Sequence, residues 1–491
     1  MKAQLLFVII AASLTHASAR SPSKWDSKLS SSPGIKKARQ LNAATQLASK
    51  QESVTLNEST AAFLTRGGVK LTKKPKITGG NASIPDSVFN LVNNVAGAGL
   101  LTLSAGMAAG TGWIPAILIC SFLGAISSHT FCLVGKACEM TDEVDFKGLW
   151  ARTLGENTTY LVDSIIAIMC LAAAVIYSGI LGDVFTPLLE SVGLPDNFNG
   201  RTSNIIIITL VALLPMSLIK NLSALAFTSI LGFCAIAYTV IFITIRSLDG
   251  TYALDAGKFV TDGLIAAPSF AKASLWGFGL SSLVLASNLS LAYVAHYNAP
   301  AYYRELKETS AKKFAGVVHF SFFALTAMYV ITMLAGYGTF GDATQGNILL
   351  SYHPSDFLST MGRVATGFSI LFGFPLVAAG AREGIVGVMK GLGRPSPNHA
   401  GLVVSILTLV TLISTTIRDV SLVVGLTGAV MGSFIVYVVP VLIYIKTVGQ
   451  VKGWDSAEYA QAKRNNMLLI PFGFATGALG VFMTIKGAMT K

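Results

Sequence analysis

Two stretches of this chain place polar residues where the surrounding apolar run would otherwise make an unbroken helix. The first reads Asn93-Asn94-Val95-Ala96-Gly97-Ala98-Gly99-Leu100-Leu101. Two Asn and two Gly in one short segment are poor helix material, so the backbone is expected to unwind there. The second carries Ser287, Asn288 and Ser290, then Tyr293-Val294-Ala295-His296-Tyr297-Asn298-Ala299-Pro300, and it also reads as an interrupted helix. An unwound turn does chemistry with its backbone. It frees N–H groups at the start of the second half-helix, near Gly97 and Gly99, where the positive dipole end takes a carboxylate. Glycine lets a ligand reach that backbone with no Cβ in the way. Carbonyls released near Asn93 and Asn94 take an ammonium or a cation, so a zwitterionic amino acid satisfies both ends. The competing readings are close helix packing for Gly97 and Gly99, and interhelical hydrogen bonding for Asn93 and Asn94.

Of the three histidines in apolar runs, His129, His296 and His319, only His296 adjoins an interruption. An ionisable group at membrane depth is a functional candidate by default, and imidazole titrates in the physiological range. His296 is therefore the candidate for proton or substrate coupling, set against the alternative of a satisfied core histidine. Asp183 reads as a rim acid rather than a relay. The five cysteines (Cys120, Cys132, Cys138, Cys170 and Cys234) form no CxxC pair and lie in or beside apolar runs. They are expected to be buried spectators, with no disulfide framework or metal site. No HExxH, nucleophile elbow, P-loop or dinucleotide signature occurs, so neither an enzyme nor an organic cofactor is expected.

The elements that position these residues follow from composition. Of 491 residues, 52% are apolar and only 12% charged. Soluble domains carry about 25% charged residues, so this chain reads as an all-α polytopic membrane protein. Apolar runs cover 84–109, 113–135, 157–185, 204–219, 222–246, 270–299, 314–339, 357–386, 399–416, 419–445 and 466–487. Each is near the roughly 20 residues that cross a bilayer, which predicts eleven helices. The boundary between the fourth and fifth rests on a Lys220-Asn221 turn. Connectors 136–156, Lys220, 304–313, 382–394 and 446–464 hold 15 of the 23 basic residues beyond residue 80, while the intervening loops lean acidic. That bias puts the N-terminus inside and the C-terminus outside. The interrupted spans are then the first and the sixth, five apart, as in a transporter site built from inverted repeats.

The first 80 residues hold 13 basic and 3 acidic residues, +10 of the chain's total +12. The charge belongs to the tail, and a nucleic-acid-binding body is excluded. Residues 1–19 have the basic start, the apolar run and the Ala17-Ser18-Ala19 site of a signal peptide. Residues 20–82 are basic and rich in Ser and Thr, transit-like and expected to be disordered. Residues 83–491 form the transmembrane domain. A signal followed by a transit-like stretch resembles the bipartite presequences of algae with secondary plastids, although Arg20 stands where an aromatic residue usually follows. A signal alone would leave the N-terminus on the wrong side for the first span, and a second translocation restores it. The plastid envelope is the leading location, with vacuolar or other endomembranes and the plasma membrane as alternatives.

These residues resemble the amino acid/auxin permease family, and within it the system A/N-type neutral amino acid transporters and their vacuolar relatives. Three stretches carry the likeness: NNVAGAGLLTLSAGM from Asn93 to Met107, YVAHYNAPAYYRELK from Tyr293 to Lys307, and FSFFALTAMYVITMLAGYGTF from Phe320 to Phe340. Weaker echoes are Tyr177 to Asp183, and Arg363, Pro375 and Arg382. The resemblance implies a LeuT-like fold, with spans one to five and six to ten as inverted repeats and an eleventh helix added. It implies a secondary transporter moving neutral L-amino acids by alternating access, with a site between spans one, three, six and eight. Asn93, Asn94, Gly97, Ala98, Gly99, Tyr177, Tyr293, His296 and Asn298 would bind substrate. Asn93, His296, Ser369 and Gly373 would handle the coupling ion. Sodium-coupled members place a Thr two residues before the span-eight proline. Here Gly373 precedes Pro375 and the hydroxyl is missing, which argues for protons, although Asn93 is kept and Ser369 lies one turn earlier. The family's Pro after the His is Tyr297 here, with Pro300 displaced. The alternatives are a sodium-coupled symporter and a non-transporting amino acid sensor. The expected partners are a small amino acid and membrane lipid.

Overall fold

The computed structural model describes residues 79–190, 200–219, 228–253, 257–261 and 275–489. The signal-like segment, nearly all of the tail and the Lys220-Asn221 turn lie outside the described residues. In chain order the helices are α1 (Ile84–Val95), α2 (Leu103–Ala108), α3 (Trp113–Thr141), α4 (Phe146–Leu154), α5 (Thr159–Glu190), α6 (Arg201–Leu218), α7 (Thr228–Leu248), α8 (Ser282–Ala292), α9 (Ala299–Glu305), α10 (Ala311–Phe340), α11 (Phe357–Gly391), α12 (His399–Thr416), α13 (Val420–Lys452), α14 (Ala457–Asn466) and α15 (Leu469–Met489). Among the described residues nine helices are long and apolar enough to cross a membrane, and counting α1 and α2 as one bent span makes ten. The remaining crossing expected over 270–299 is described from residue 275 onward, as the two short helices α8 and α9.

Both interruptions foreseen at the first and sixth spans are present. α1 starts on a capping box in which Ser83 Oγ accepts from the Asp86 N–H and Asp86 accepts from the Ser83 N–H (3.3 and 3.2 Å). It stops at Val95, Gly97 is extended, a 3-10 turn runs Ala98–Thr102 into α2, and the segment Ala98–Ala108 as a whole is bent 48° from α1. α8 stops at Ala292, a 3-10 turn covers His296–Asn298, and Pro300 starts α9, where a missing N–H costs nothing. One side chain serves both breaks. The Tyr329 hydroxyl on α10 lies 2.7 Å from the Ala292 carbonyl and 3.2 Å from that of Val95.

The long spans α5 and α11 lie side by side through glycine. Gly380, Gly384, Gly387 and Gly391 share one face of α11, and a Cβ on each would run into Cys170, Ala167, Asp163 and Tyr160 of α5 respectively. Small residues at this spacing let two membrane helices approach backbone to backbone. Ion pairs tie together the helix ends remote from the basic loops. Asp183, expected at the rim, is buried at 4% exposure and bonds Arg201 Nε at 2.6 Å. Arg201 also donates to the Ser414 carbonyl (2.8 Å), which joins α5, α6 and α12. Arg246 of α7 grips both oxygens of Asp356, the cap of α11, at 2.7 and 2.9 Å.

Candidate substrate cavity

The break in α1 forms one wall of a cavity of about 430 Å³. Three helices each present one helical face to it: Asn90, Asn93, Asn94 and Gly97 from the first span, Gly232, Ala235, Ile236 and Thr239 from α7, and Thr366, Ser369, Ile370 and Gly373 from α11. Each set is spaced i, i+3, i+4, i+7, the period that lines up side chains on one side of a helix. Tyr177 of α5 and Tyr302 and Glu305 of α9 complete the rim. Most of these positions fall in the halves of their helices nearest the basic loops, so the cavity lies toward the side the charge bias makes inner.

Among the expected site residues, Asn93, Asn94, Gly97, Ala98, Tyr177, Ser369 and Gly373 all line this space. Gly97 does so with an open face, since the nearest atom to a Cβ placed there is the Val95 carbonyl oxygen at 3.9 Å. Ser369 and Asn93 meet beside Gly232, whose Cβ position is 3.2 Å from Ser369 Oγ and 4.0 Å from Asn93 Oδ1. A Cβ on Gly373 would have only Tyr177 nearby, at 3.8 Å.

The structure does not bring Gly99, Tyr293, His296 or Asn298 to the cavity wall. Gly99 packs on the other break, with its Cβ position 3.3 Å from Ala292 Cα. Helix packing, the competing reading, holds there. Tyr293 is fully buried, and its hydroxyl meets Thr326 Oγ1 at 2.8 Å and the Cys120 carbonyl at 3.2 Å. His296 is fully buried between Phe131 and Phe322, with Nε2 3.0 Å from Thr130 Oγ1 and 3.1 Å from the Ser127 carbonyl. A carbonyl only accepts, so Nε2 carries the proton. Nδ1 has no partner among the described residues, the arrangement of a neutral imidazole. Asn298 is half-buried at the start of α9. The sequence reading missed Asn90, Thr239, Thr366, Tyr302 and Glu305, and it missed Tyr329.

A strap joins the helix ends beside Glu305. Gly80 N–H donates to the Leu306 carbonyl (3.2 Å), Ala82 N–H to that of Glu305 (3.0 Å), and Lys307 N–H to that of Ala82 (2.9 Å). The chain entering α1 is thus paired in parallel with the chain leaving α9. A Cβ on Gly80 would collide with the Glu305 backbone. In the same inner loop Glu308 bonds Lys313 at 2.8 Å, which holds its carboxyl below the usual carboxylate range.

Two broken helices around a cavity, braced by two long helices in close contact, define a helical membrane protein of LeuT-like fold. The fold comparison agrees: the inward-facing conformation of Mhp1 superposes over 87% of this chain and 96% of that one, with a TM-score of 0.54 at 10% identity. The chain belongs to the family described as transmembrane amino acid transporter protein, whose model matches residues 80–488. Curated relatives include the rat protein named "Putative sodium-coupled neutral amino acid transporter 11", 26% identical over 75% of this chain and 79% of the relative. Vacuolar amino acid transporter 5 of Schizosaccharomyces pombe is 25% identical over 74% and 84%. Sodium-coupled neutral amino acid symporter 2 of Danio rerio is 25% identical over 75% and 76%. This chain is therefore a multi-pass membrane protein of an amino acid transporter family and not an enzyme, and the family implies a small amino acid as substrate.

Proposed function

We propose that the chain carries neutral L-amino acids across its membrane by alternating access, driven by protons. The observation that carries this reading is the open turn at Gly97 on the wall of a mostly uncharged polar cavity. Free N–H groups there suit an α-carboxylate, and the carboxamides of Asn93 and Asn94 suit the α-ammonium. The absence of a hydroxyl at Gly373 favours protons, and His296 is the coupling candidate. In this arrangement its imidazole is neutral and shut away from the cavity, so protonation belongs to another step of the cycle. Sodium coupling is the second reading, favoured by Asn93 Oδ1 and Ser369 Oγ bordering the same point beside Gly232.

The test is uptake of a labelled amino acid mixture into proteoliposomes under imposed proton or sodium gradients, for wild type and His296→Ala. Proton-driven uptake lost in the variant supports the reading. Sodium-driven uptake moves the weight to Asn93 and Ser369. Binding with no uptake or counterflow would make the protein a sensor.

A further inference from the structure

The turn that leads into α11 is closed by a histidine acting as an acceptor. His353 Nδ1 accepts from the Ser355 N–H at 3.1 Å, which a ring nitrogen does only without a proton of its own. The His353 carbonyl accepts from the Asp356 N–H (3.0 Å), and the His353 N–H donates to the Tyr252 oxygen (3.1 Å). Asp356 then caps α11 through the Leu358 N–H (3.0 Å), takes the Tyr252 hydroxyl (3.0 Å) and receives Arg246 of α7. The turn from His353 to Asp356 thus connects a titratable ring to the carboxylate that clamps α7 to α11, and both helices line the cavity. The ring stacks on Phe259, with centroids 5.1 Å apart, and Lys258 Nζ lies 5.6 Å from the centroid of the same phenylalanine. The other charges on the elements around it are Arg246, Asp249 and Asp356. Both carboxylates are already bound to Arg246, and His353 makes no ion pair among the described residues. A protonated ring would share Phe259 with Lys258 and find both neighbouring carboxylates taken.

We propose that His353 is a pH switch on the joint between α7 and α11. While the ring is neutral, Nδ1 holds the Ser355 N–H and the turn keeps Asp356 in place. Protonation sets an N–H against an N–H, so the turn opens and the grip of Asp356 on Arg246 loosens. Imidazole is the side chain whose charge changes between about pH 5 and 8. The joint is therefore firm on the alkaline side of that range and loosens as the pH falls through it. The switch acts on two walls of the cavity from outside it, whichever ion drives transport and whichever substrate is carried.

The experiment is hydrogen exchange, followed by mass spectrometry, on the purified full-length chain in lipid nanodiscs at about pH 5 and about pH 8, with rates corrected for the intrinsic pH dependence of exchange. Protection of the segment from Ser355 to Thr360 should fall about fivefold in acid, the scale of one net hydrogen bond. The Arg246 end of α7 should lose protection with it. In His353→Asn the carboxamide oxygen accepts the same N–H two residues on, as an Asx turn does, and it does not titrate, so protection should stay high at both pH values. His353→Ala should show low protection at both. Equal protection of the wild type at both pH values overturns the proposal. So does a fall in acid in either variant that matches the wild type, because another group would then be titrating. Loss at the turn with full protection of the α7 end overturns the link to the clamp.

Discussion

Replacing Tyr329 by Phe tests whether one hydroxyl holds both helix breaks together. The ring would stay, packed 5.1 Å from Tyr293, so the change removes only the hydroxyl and creates almost no cavity. That hydroxyl has a single proton and two carbonyls to serve, Ala292 at 2.7 Å and Val95 at 3.2 Å. The shorter contact takes most of the bond. Tyr329 is fully buried, so the Ala292 carbonyl would be left without that donor and away from bulk water. An orphaned buried polar group costs about 1–3 kcal/mol, and the two contacts should not add, since they share one proton. The expected result is a lower thermal unfolding midpoint of the purified protein, with a rise in KM for uptake as the break at Val95 loosens beside Gly97. An unfolding midpoint and uptake kinetics equal to wild type would refute the reasoning, because they would mean that the carbonyls find other partners at no cost.

Four further changes probe other parts of the site. Gly97→Val should leave stability nearly intact while weakening substrate binding at least tenfold, roughly one charge-assisted bond; Gly99→Val should instead destabilise by about 1–3 kcal/mol through overpacking against Ala292, as thermal melts and uptake assays on both variants can decide. Gly373→Thr puts a hydroxyl into open space beside Tyr177 and should make uptake respond to sodium, which a sodium titration in proteoliposomes measures. Ala82→Pro removes the N–H that binds the Glu305 carbonyl and should slow transport with little change in unfolding midpoint; unaltered transport would show that the strap has no part in the cycle.

The breaks were legible because helix propensity is a local property, and the Asn and Gly of 93–99 violate it inside an apolar run. The inward face of the first span was legible for the same reason. Span six was harder. Tyr293, His296 and Asn298 sit in or next to the break, but the rotation of α9 is set by its packing, with Tyr303 against Phe314. The face that reaches the cavity is instead that of Tyr302 and Glu305. Burial likewise decided His296, since a ring wedged between two phenylalanines and two span-three-residue-apart backbone and hydroxyl partners on α3 leaves no signal in one sequence. Gly232, Ala235 and Thr239 did leave a signal, a run of small residues at helical spacing in span five, and reading that period would have found the third wall. Tyr329 could not have been found this way, because its two partners are main-chain carbonyls more than thirty residues away.

The distribution of polar contacts argues for which parts move. At the ends remote from the basic loops the Asp183–Arg201 pair joins α5 to α6, Arg201 also donates to the Ser414 carbonyl of α12, and α7 is clamped to α11 by Arg246 and Asp356. Breaking a buried pair by removing one partner costs about 3–5 kcal/mol, so these helices form a stiff frame. Glycine-to-backbone contact between α5 and α11 stiffens it further, because interlocked surfaces slide poorly. At the opposite ends α1 and α9 are joined to each other by three main-chain hydrogen bonds, each worth about 0.5–1.5 kcal/mol net. A motion that separated α1 from α9 would lose those bonds and pull the Gly99 contact with Ala292 apart as well. A motion that carries α1 and α9 together keeps both, and asks only that the pair shift against the frame around the cavity. Glu305 and Gly97 would then travel on the same moving part, so the strap and the open turn keep their spacing.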